Sequence, residues 1–469
     1  MSGGGHEKRG RNLKPQRLLI ALTAIVLVVA GCSDRGGGGD EGGGGSTSAE
    51  SASSSFGDLT DVCQAGDAKG SPTQGVTDGE VRVGVFSDVG FNKNSEFIDA
   101  AKVFTSWCNE LGGINGRKIV ANTRDAKLME TRQQMIAACR EDFALVGGGS
   151  GLDGLGVKER LGCTLPNFVA QTVQPASTGS DLQIAASPAS TAGYDPFFGF
   201  RSWLMNEAYP DSRNAVGIIN GDSPLTKSIG KQAVEATEAA GGMFVYNDVY
   251  PAMGISDWTP YAQALKNEGV KGLIFYGQFQ QLAKLESVLS GMDYKLDWID
   301  SNNNAYGQQF IELLGTSADS QNNYVDLGGV SPISSTEPAM KDLTALYAKY
   351  APDADITLPA IRAISSWLLF AKSAASCGDD LTRTCLYNAG KAETAWTGGG
   401  LTAPQNLAAP APPSPCFNVQ KATSNGWEDA DFRPDNGQYR CDSPPYKYTG
   451  DYGAPMTLAD VGKSMNDVK

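Results

Sequence analysis

From residue 80 onward, short apolar runs alternate with longer stretches in which apolar residues recur at helical spacing. Val81-Arg82-Val83-Gly84-Val85-Phe86, flanked by turn residues, predicts a buried strand. Phe97, Ala101, Phe104, Cys108 and Leu111 then mark one helical face, which Gly112-Gly113 ends. Lys118-Ile119-Val120-Ala121 predicts a second strand and Met135, Ile136 and Cys139 a second helix. Phe143-Ala144-Leu145-Val146 is a third strand, and Pro166-Asn167-Phe168-Val169-Ala170 a fourth after a short helix. The order then returns. Ala215–Ile219, Phe244–Tyr246, Gly272–Tyr276 and Trp298-Ile299 read as strands, separated by helices through Ile229, Ala233 and Ala240, through Tyr261 and Leu265, and through Leu282, Leu285 and Leu289. Strands alternating with helices predict parallel sheets covered on both faces, and two such series predict two similar α/β lobes. Ligands of open α/β sheets sit beyond the carboxyl ends of the strands. Two facing lobes place that site in the cleft between them.

The chain before this region has a different pattern. A basic start (Lys8, Arg9, Arg11, Lys14, Arg17) precedes an apolar run from Leu18 to Val29, and small residues Ala30 and Gly31 stand directly before Cys32. This is the pattern of an export signal over 1–31 with a small-residue cleavage site. It falls short of the ~20 apolar residues of a comfortable membrane span. Val29-Ala30-Gly31-Cys32 resembles a bacterial lipobox, which implies a lipidated Cys32 at the new N-terminus; an ordinary signal with a chance cysteine is the alternative. Residues 32–75, dominated by Gly36–Gly39, Gly42–Gly45 and Ser/Thr/Ala, cannot bury apolar surface and predict a mostly disordered linker. The expected location is outside the cytoplasm, held by lipid to the outer face of the cell membrane.

Composition narrows the chemistry. The net charge is −14, and removal of the basic start makes the rest more acidic still, which argues against nucleic acid as a partner. The sole histidine, His6, lies in the expected signal. The mature chain then has none, so triads with a histidine base and His-ligated metals are excluded. No metal and no cofactor are expected. Beyond Cys32 stand eight cysteines, an even number that suits disulfides in an oxidising compartment. Sequence does not fix their connectivity; the expected pairs are Cys377–Cys385, Cys416–Cys441, Cys63–Cys108 and Cys139–Cys163. The Pro-rich stretch after Leu401 (Pro404, Pro410, Pro412, Pro413, Pro415) is expected to lie over a lobe surface, ordered by Cys416 and Cys441.

One motif carries a resemblance. Asn109-Glu110-Leu111-Gly112-Gly113-Ile114-Asn115-Gly116-Arg117-Lys118-Ile119 resembles the glycine-rich turn of ABC-transporter substrate-binding proteins of the branched-chain amino-acid type. Gly75-Val76-Thr77-Asp78, Ser256-Asp257-Trp258-Thr259 and Gly398-Gly399-Gly400-Leu401 resemble the same family, over roughly residues 75–400. The resemblance implies a type I periplasmic-binding-protein fold: two Rossmann-like lobes with parallel sheets joined by a three-crossover hinge. It places lobe 1 at 78–190 plus 326–395 and lobe 2 at 191–325 plus 396–455. It implies a small amino-acid-like or related polar ligand, captured between the lobes and handed to membrane permease subunits, and no catalysis. A sensory module of the same fold is the alternative, and an enzyme working without histidine ranks third.

Candidate contacts follow from chemistry and resemblance together. Gly147-Gly148-Gly149-Ser150-Gly151 follows a strand and precedes a helix, where free N–H groups favour a carboxylate and glycine permits close approach. The resemblance implies that this loop (Gly149, Ser150) and Ala170-Gln171-Thr172 hold a ligand carboxylate, with Ser150 and Thr172 as hydroxyl donors. A tight turn without ligand is the plainer alternative. Residues 149–154 also fit a dinucleotide G-x-G-x-x-G, weakly, because no acidic residue follows at the ribose spacing. Leu152 breaks a G-x-S-x-G pattern. Ser87 in the loop after the first strand, Phe279, Asn302 and Tyr194 are expected to line the site, and Asp222 or Asp300 to meet a cationic group. The loop Ser87–Phe91 and the asparagines at 302–303 depart from the family pattern. They leave room for amides, aromatic acids or other small polar molecules.

Overall fold

In the computed structural model the described residues are 53–70, 73–188, 192–408 and 413–469. The expected export signal, Cys32 and the glycine-rich stretch lie outside them. Residues 52–469 form one compact unit built on two sheets.

The first sheet contains β1 (Glu80–Ser87), β2 (Lys118–Asp125), β3 (Ala144–Val146), β4 (Asn167–Val169) and β5 (Gln183–Ala185), in the order β2-β1-β3-β4-β5 and all parallel. The helices between and after them are α1 (Val89–Asn92), α2 (Glu96–Glu110), α3 (Thr131–Glu141) and α4 (Val157–Gly162). A two-residue strand, β6 (Tyr194–Asp195), and helix α5 (Phe198–Trp203) lead into the second sheet. This sheet holds β7 (Val216–Asp222), β8 (Phe244–Pro251), β9 (Gly272–Tyr276), β10 (Trp298–Asp300) and β11 (Asn323–Asp326), parallel in the order β11-β10-β9-β7-β8. Helices α6 (Pro224–Ala239), α7 (Thr259–Asn267), α8 (Phe279–Gly291), α9 (Gln308–Leu314) and α10 (Ser317–Ser320) connect them. The chain then returns to the first sheet as α11 (Pro338–Tyr350), α12 (Leu358–Cys377) and α13 (Arg383–Lys391). It crosses back to add an antiparallel hairpin, β12 (Val419–Thr423) and β13 (Gly426–Asp429), beside β11. The chain therefore passes between the sheets three times before its last segment.

Each sheet is covered on both faces, because its strands are apolar on both. Val81, Val83 and Val85 of β1 pack with Phe104 of α2 and Trp367 of α12, while Phe86 and Leu145 meet Met135 of α3 on the other side. In the second lobe Leu273 and Phe275 meet Leu282 and Leu285, and Ile218 and Ile274 face Phe200 and Trp203. Helix α12 is buried nearly all round, as an apolar helix without a polar face must be. No helix among the described residues is long and apolar enough to cross a membrane.

The glycine-rich turn after α2 has a structural role. Gly113 has φ 87°, and a Cβ there would lie 2.1 Å from the Arg117 carbonyl oxygen, so only glycine fits. Arg117 is buried and donates to the carbonyls of Thr77 (3.0 Å), Gly378 (2.8 Å), Lys69 (3.1 Å) and Gly70 (3.2 Å). All four disulfides form with the expected partners: Cys63–Cys108, Cys139–Cys163, Cys377–Cys385 and Cys416–Cys441.

One expectation needs correcting. Composition placed the linker up to residue 75, yet Phe56, Val62 and Cys63 are buried in the first lobe, and the Trp107 indole donates to the Ser53 carbonyl at 3.1 Å. Three apolar anchors and a disulfide order a stretch whose average composition is polar.

The last segment ties the lobes together once more. Strand β14 (Tyr446–Lys447) pairs with β6. Tyr446 (3.0 Å), Tyr452 (2.6 Å) and the Thr449 N–H (2.6 Å) all donate to the Glu235 carboxylate on α6. Burial opposes it, but these bonds hold that carboxyl down to about 2. Four residues beyond Tyr452 the chain is on the first lobe. The Met456 N–H donates to the Ala176 carbonyl (3.0 Å) and Leu458 N–H to Asp181 (2.7 Å), and Leu458 and Val468 pack on Val157, Leu161 and Leu182.

A buried acid in the second lobe sets a pH response. Glu286 of α8 is fully buried; Asn323 donates to its Oε2 at 2.6 Å, and Oε1 has no partner among the described residues. Burial pushes its pKa up to about 8. Below about pH 4.5 the folded and unfolded chains both hold this proton. Between there and about pH 8 the folded chain keeps a proton that the unfolded chain has lost, so stability falls as pH rises. Glu286→Gln is expected to remove on the order of 3 kcal/mol of that fall between about pH 5 and pH 8. Urea unfolding of both proteins at the two pH values measures this, and equal pH slopes would count against it.

Candidate functional site

The carboxyl ends of the two parallel sheets face a cleft of about 610 Å³. The first lobe contributes the end of β1 (Ser87) and Asp88 just beyond it, the segment from Phe91 through Glu96, the loop after β3 (Gly149–Gly151) and Gln171 and Val173 after β4. The second lobe contributes Phe279 after β9, residues 304–307 after β10, Gln309 and Phe310. The α11–α12 connection adds residues from 351 to 359.

The first-lobe rim is stapled by carboxylates. Asp88 accepts from the N–H groups of Gly151 (2.7 Å) and Leu128 (2.7 Å) and from the Ser150 hydroxyl (3.2 Å). Asp125 accepts from Gly90 N–H (3.1 Å), and Asp153 from Val173 N–H (3.0 Å) and Gln174 N–H (2.9 Å). Leu128 reaches Asp88 with φ 67°, next to Lys127 at φ 43°. Such backbone is costly away from glycine and persists where surrounding bonds fix it. The glycine loop lies close to β1: a Cβ on Gly148 would sit 2.5 Å from the Phe86 nitrogen.

Further acids stand at the mouth. Glu96 opens α2, and burial first, then the neighbouring Asp99, pushes its carboxyl up to about 7. Asp99, itself bonded to the Ser95 hydroxyl, and the exposed Asp353 and Asp355 share the cleft wall with Lys93 and Lys102. Phe91 is 48 % exposed, and Phe279 meets Phe310 edge-on with ring centres 6.1 Å apart. The cleft thus offers acids, hydroxyls and aromatic faces, the mixture that suits a small polar molecule with some apolar surface.

Of the residues singled out from sequence, Ser87, Gly149, Ser150 and Phe279 come together on this wall; Ala170, Thr172, Tyr194, Asp222 and Asn302 do not line it. Ala170 and Thr172 are buried in the loop after β4. Tyr194 is paired with Lys447 in the small β6–β14 ladder, and Asp222 is ion-paired with Lys227 at the surface. Asn302, at φ 65°, donates its N–H to Asp300 (3.1 Å). Asp300 is itself engaged by Arg201. That buried arginine donates to Asp300 (3.0 Å), Asp195 (3.4 Å) and the Tyr276 hydroxyl, and Asp195 also accepts from Tyr448 (3.0 Å). Both carboxylates of this cluster are committed to structure. Sequence reasoning missed Asp88 as the loop staple, Glu96 and the 351–359 segment; an acid immediately after a strand, opposite a glycine loop, was the available signal for the first. Among the described residues no group of three or more acids or cysteines could hold a metal.

Two sheet-centred lobes with three crossings and a cleft at the facing strand ends define a type I binding-protein fold. The profile of the family described as periplasmic binding protein matches residues 170–426, more than half of the chain, and the protein belongs to that family. Solved structures agree on the fold. A fatty acid ABC transporter substrate-binding protein from Thermomonospora curvata matches with TM-score 0.63 and 18% identity, over 82% of this chain and 97% of that one. A branched-chain amino acid ABC transporter protein from Thermus thermophilus with bound valine matches with TM-score 0.60 and 12% identity, over 79% and 98%. A branched-chain amino acid transporter substrate-binding protein from Streptococcus pneumoniae in complex with isoleucine gives 0.59 and 15%, over 74% and 98%. No curated protein sequence matches.

Proposed function

We propose that this protein is an extracytoplasmic solute-binding lipoprotein of an ABC importer. Anchored through Cys32, it captures a small amino-acid-like or related polar ligand between lobe 1 (78–190 plus 326–395) and lobe 2 (191–325 plus 396–455) and delivers it to permease subunits in the membrane. Binding closes the cleft by a hinge motion, and no chemistry is done on the ligand. The observation that carries this reading is the cleft of about 610 Å³ at the facing carboxyl ends of two parallel sheets. Membership of a solute-binding family supports it.

A thermal-shift screen of amino acids, amides, amines and fatty acids tests it. A true ligand at 100 times its Kd adds about 2.7 kcal/mol of stability. Phe279→Ala, at the cleft wall, is expected to weaken that ligand about tenfold, the loss of one aromatic contact of on the order of 1 kcal/mol. It is also expected to lower the unliganded melting temperature through the lost contact with Phe310, so affinity is measured at a temperature where circular dichroism shows the variant folded. Absence of any shift across the screen, or full affinity in the variant, would remove the cleft from consideration.

A further inference from the structure

The place in the cleft best built to receive an anion is already filled by the chain itself. The glycine loop after β3 presents an N–H and a hydroxyl, and the loop after β2 presents another N–H. All three converge on one carboxylate, Asp88, at 2.7, 3.2 and 2.7 Å. Asp88 is 7 % exposed and lies on the cleft wall. Asp125 and Asp153 take three more rim N–H groups in the same way. An incoming carboxylate would have to displace a buried acid from three good partners or lie against it. Desolvated like charges at such range oppose each other strongly. Nearby Glu96 and Asp99 add acid to the same wall, and Phe91 offers an exposed aromatic face, which attracts cations; the two lysines of the cleft, Lys93 (donating to the Gly90 carbonyl at 3.1 Å) and Lys102, stand at its exposed mouth.

We infer that the ligand of this cleft is a small organic cation without a carboxylate, an aliphatic ammonium or guanidinium compound, held by the acids of the first-lobe rim. This rests on the solute-binding reading above and narrows it: the acid group of amino acids and fatty acids sets them against Asp88. The cation is held by Glu96, with Asp88 on the same wall and Phe91 and Phe279 offering surface to its alkyl portion. Glu96, protonated in part because burial and Asp99 disfavour its charge, is the acid that gains most from a cation alongside.

Agmatine and arginine form the deciding pair, since they differ only by the carboxylate; leucine and octanoate serve as acids without the guanidinium. Calorimetry on the parent protein is expected to give agmatine at least about 30-fold tighter binding than arginine, and no heat with leucine or octanoate. That ratio is about 2 kcal/mol. Glu96→Gln should weaken agmatine about tenfold. Asp88→Asn should narrow the agmatine-to-arginine ratio, and circular dichroism and the unliganded melting temperature check that both variants fold. Arginine, leucine or octanoate binding as well as agmatine would overturn the inference and leave the solute-binding reading intact. So would agmatine binding that ignores Glu96→Gln. Silence from all four probes overturns it too, and only silence across the wider screen as well would bring down the reading beneath it.

Discussion

Arg201→Met is expected to cost the protein about 3–5 kcal/mol, the usual penalty for stranding buried charges by deleting their partner. Arg201 is 1 % exposed, and its guanidinium is the cation between Asp195 and Asp300, which are also buried. Burial alone would lower its pKa, yet Tyr276 and the two carboxylates hold it above the usual arginine range. Removing it leaves two acids in a place that water does not reach. They must then take up protons or draw the lobe open. Urea denaturation at neutral pH reads the loss. The double variant Arg201→Met/Asp300→Asn should recover part of it, because one stranded charge is gone. Arg201→Lys should not rescue fully, since a single ammonium cannot span partners that a planar fork reaches together. A parent-like midpoint for Arg201→Met would show that the cluster contributes nothing to stability.

Arg117→Met is expected to cost on the order of 2–3 kcal/mol, because a buried, charged donor loses its hydrogen bonds while the part-exposed carbonyls it held can turn to water. Four carbonyls from three separate segments meet on this guanidinium: Lys69 and Gly70, Thr77, and Gly378 just past α12. Loss of the hub should loosen the chain before β1 and the end of α12 together. Hydrogen exchange should therefore rise over residues 66–79 and 376–380 and stay unchanged in the second lobe. An unchanged exchange pattern would contradict the hub role.

How much of this was legible in the sequence depended on whether a feature is local. Strands β1, β2, β7 and β9 announce themselves because their apolar runs are long and flanked by turn residues. Gln183–Ala185 and Asn323–Asp326 do not, being only three and four residues long and each opening on a polar residue; they are strands because neighbouring strands already form the sheet beside them. The β12–β13 hairpin was hidden in a proline-rich context. Phe56, Val62 and Cys63 were averaged away by the glycine and serine around them, although each is nearly fully buried. At the cleft, Ser87, Gly149, Ser150 and Phe279 were readable because each stands at or just past a strand end, where α/β ligands sit. Asp88 was not, because its meaning lies in a bond to a loop 63 residues away. Asp300 looked available for a ligand until Arg201, 99 residues earlier in the chain, proved to be its partner.

The closing segment has a mechanical consequence. Between the grip of Tyr452 on Glu235 and that of Met456 on Ala176 lie four peptide steps. Drawn straight, they reach about 14 Å. On the proposed hinge motion about the three crossings, this short cord would limit how far the halves part. A hinge stopped in this way would spend less of its freedom on closing, and residues 446–458 supply the stop.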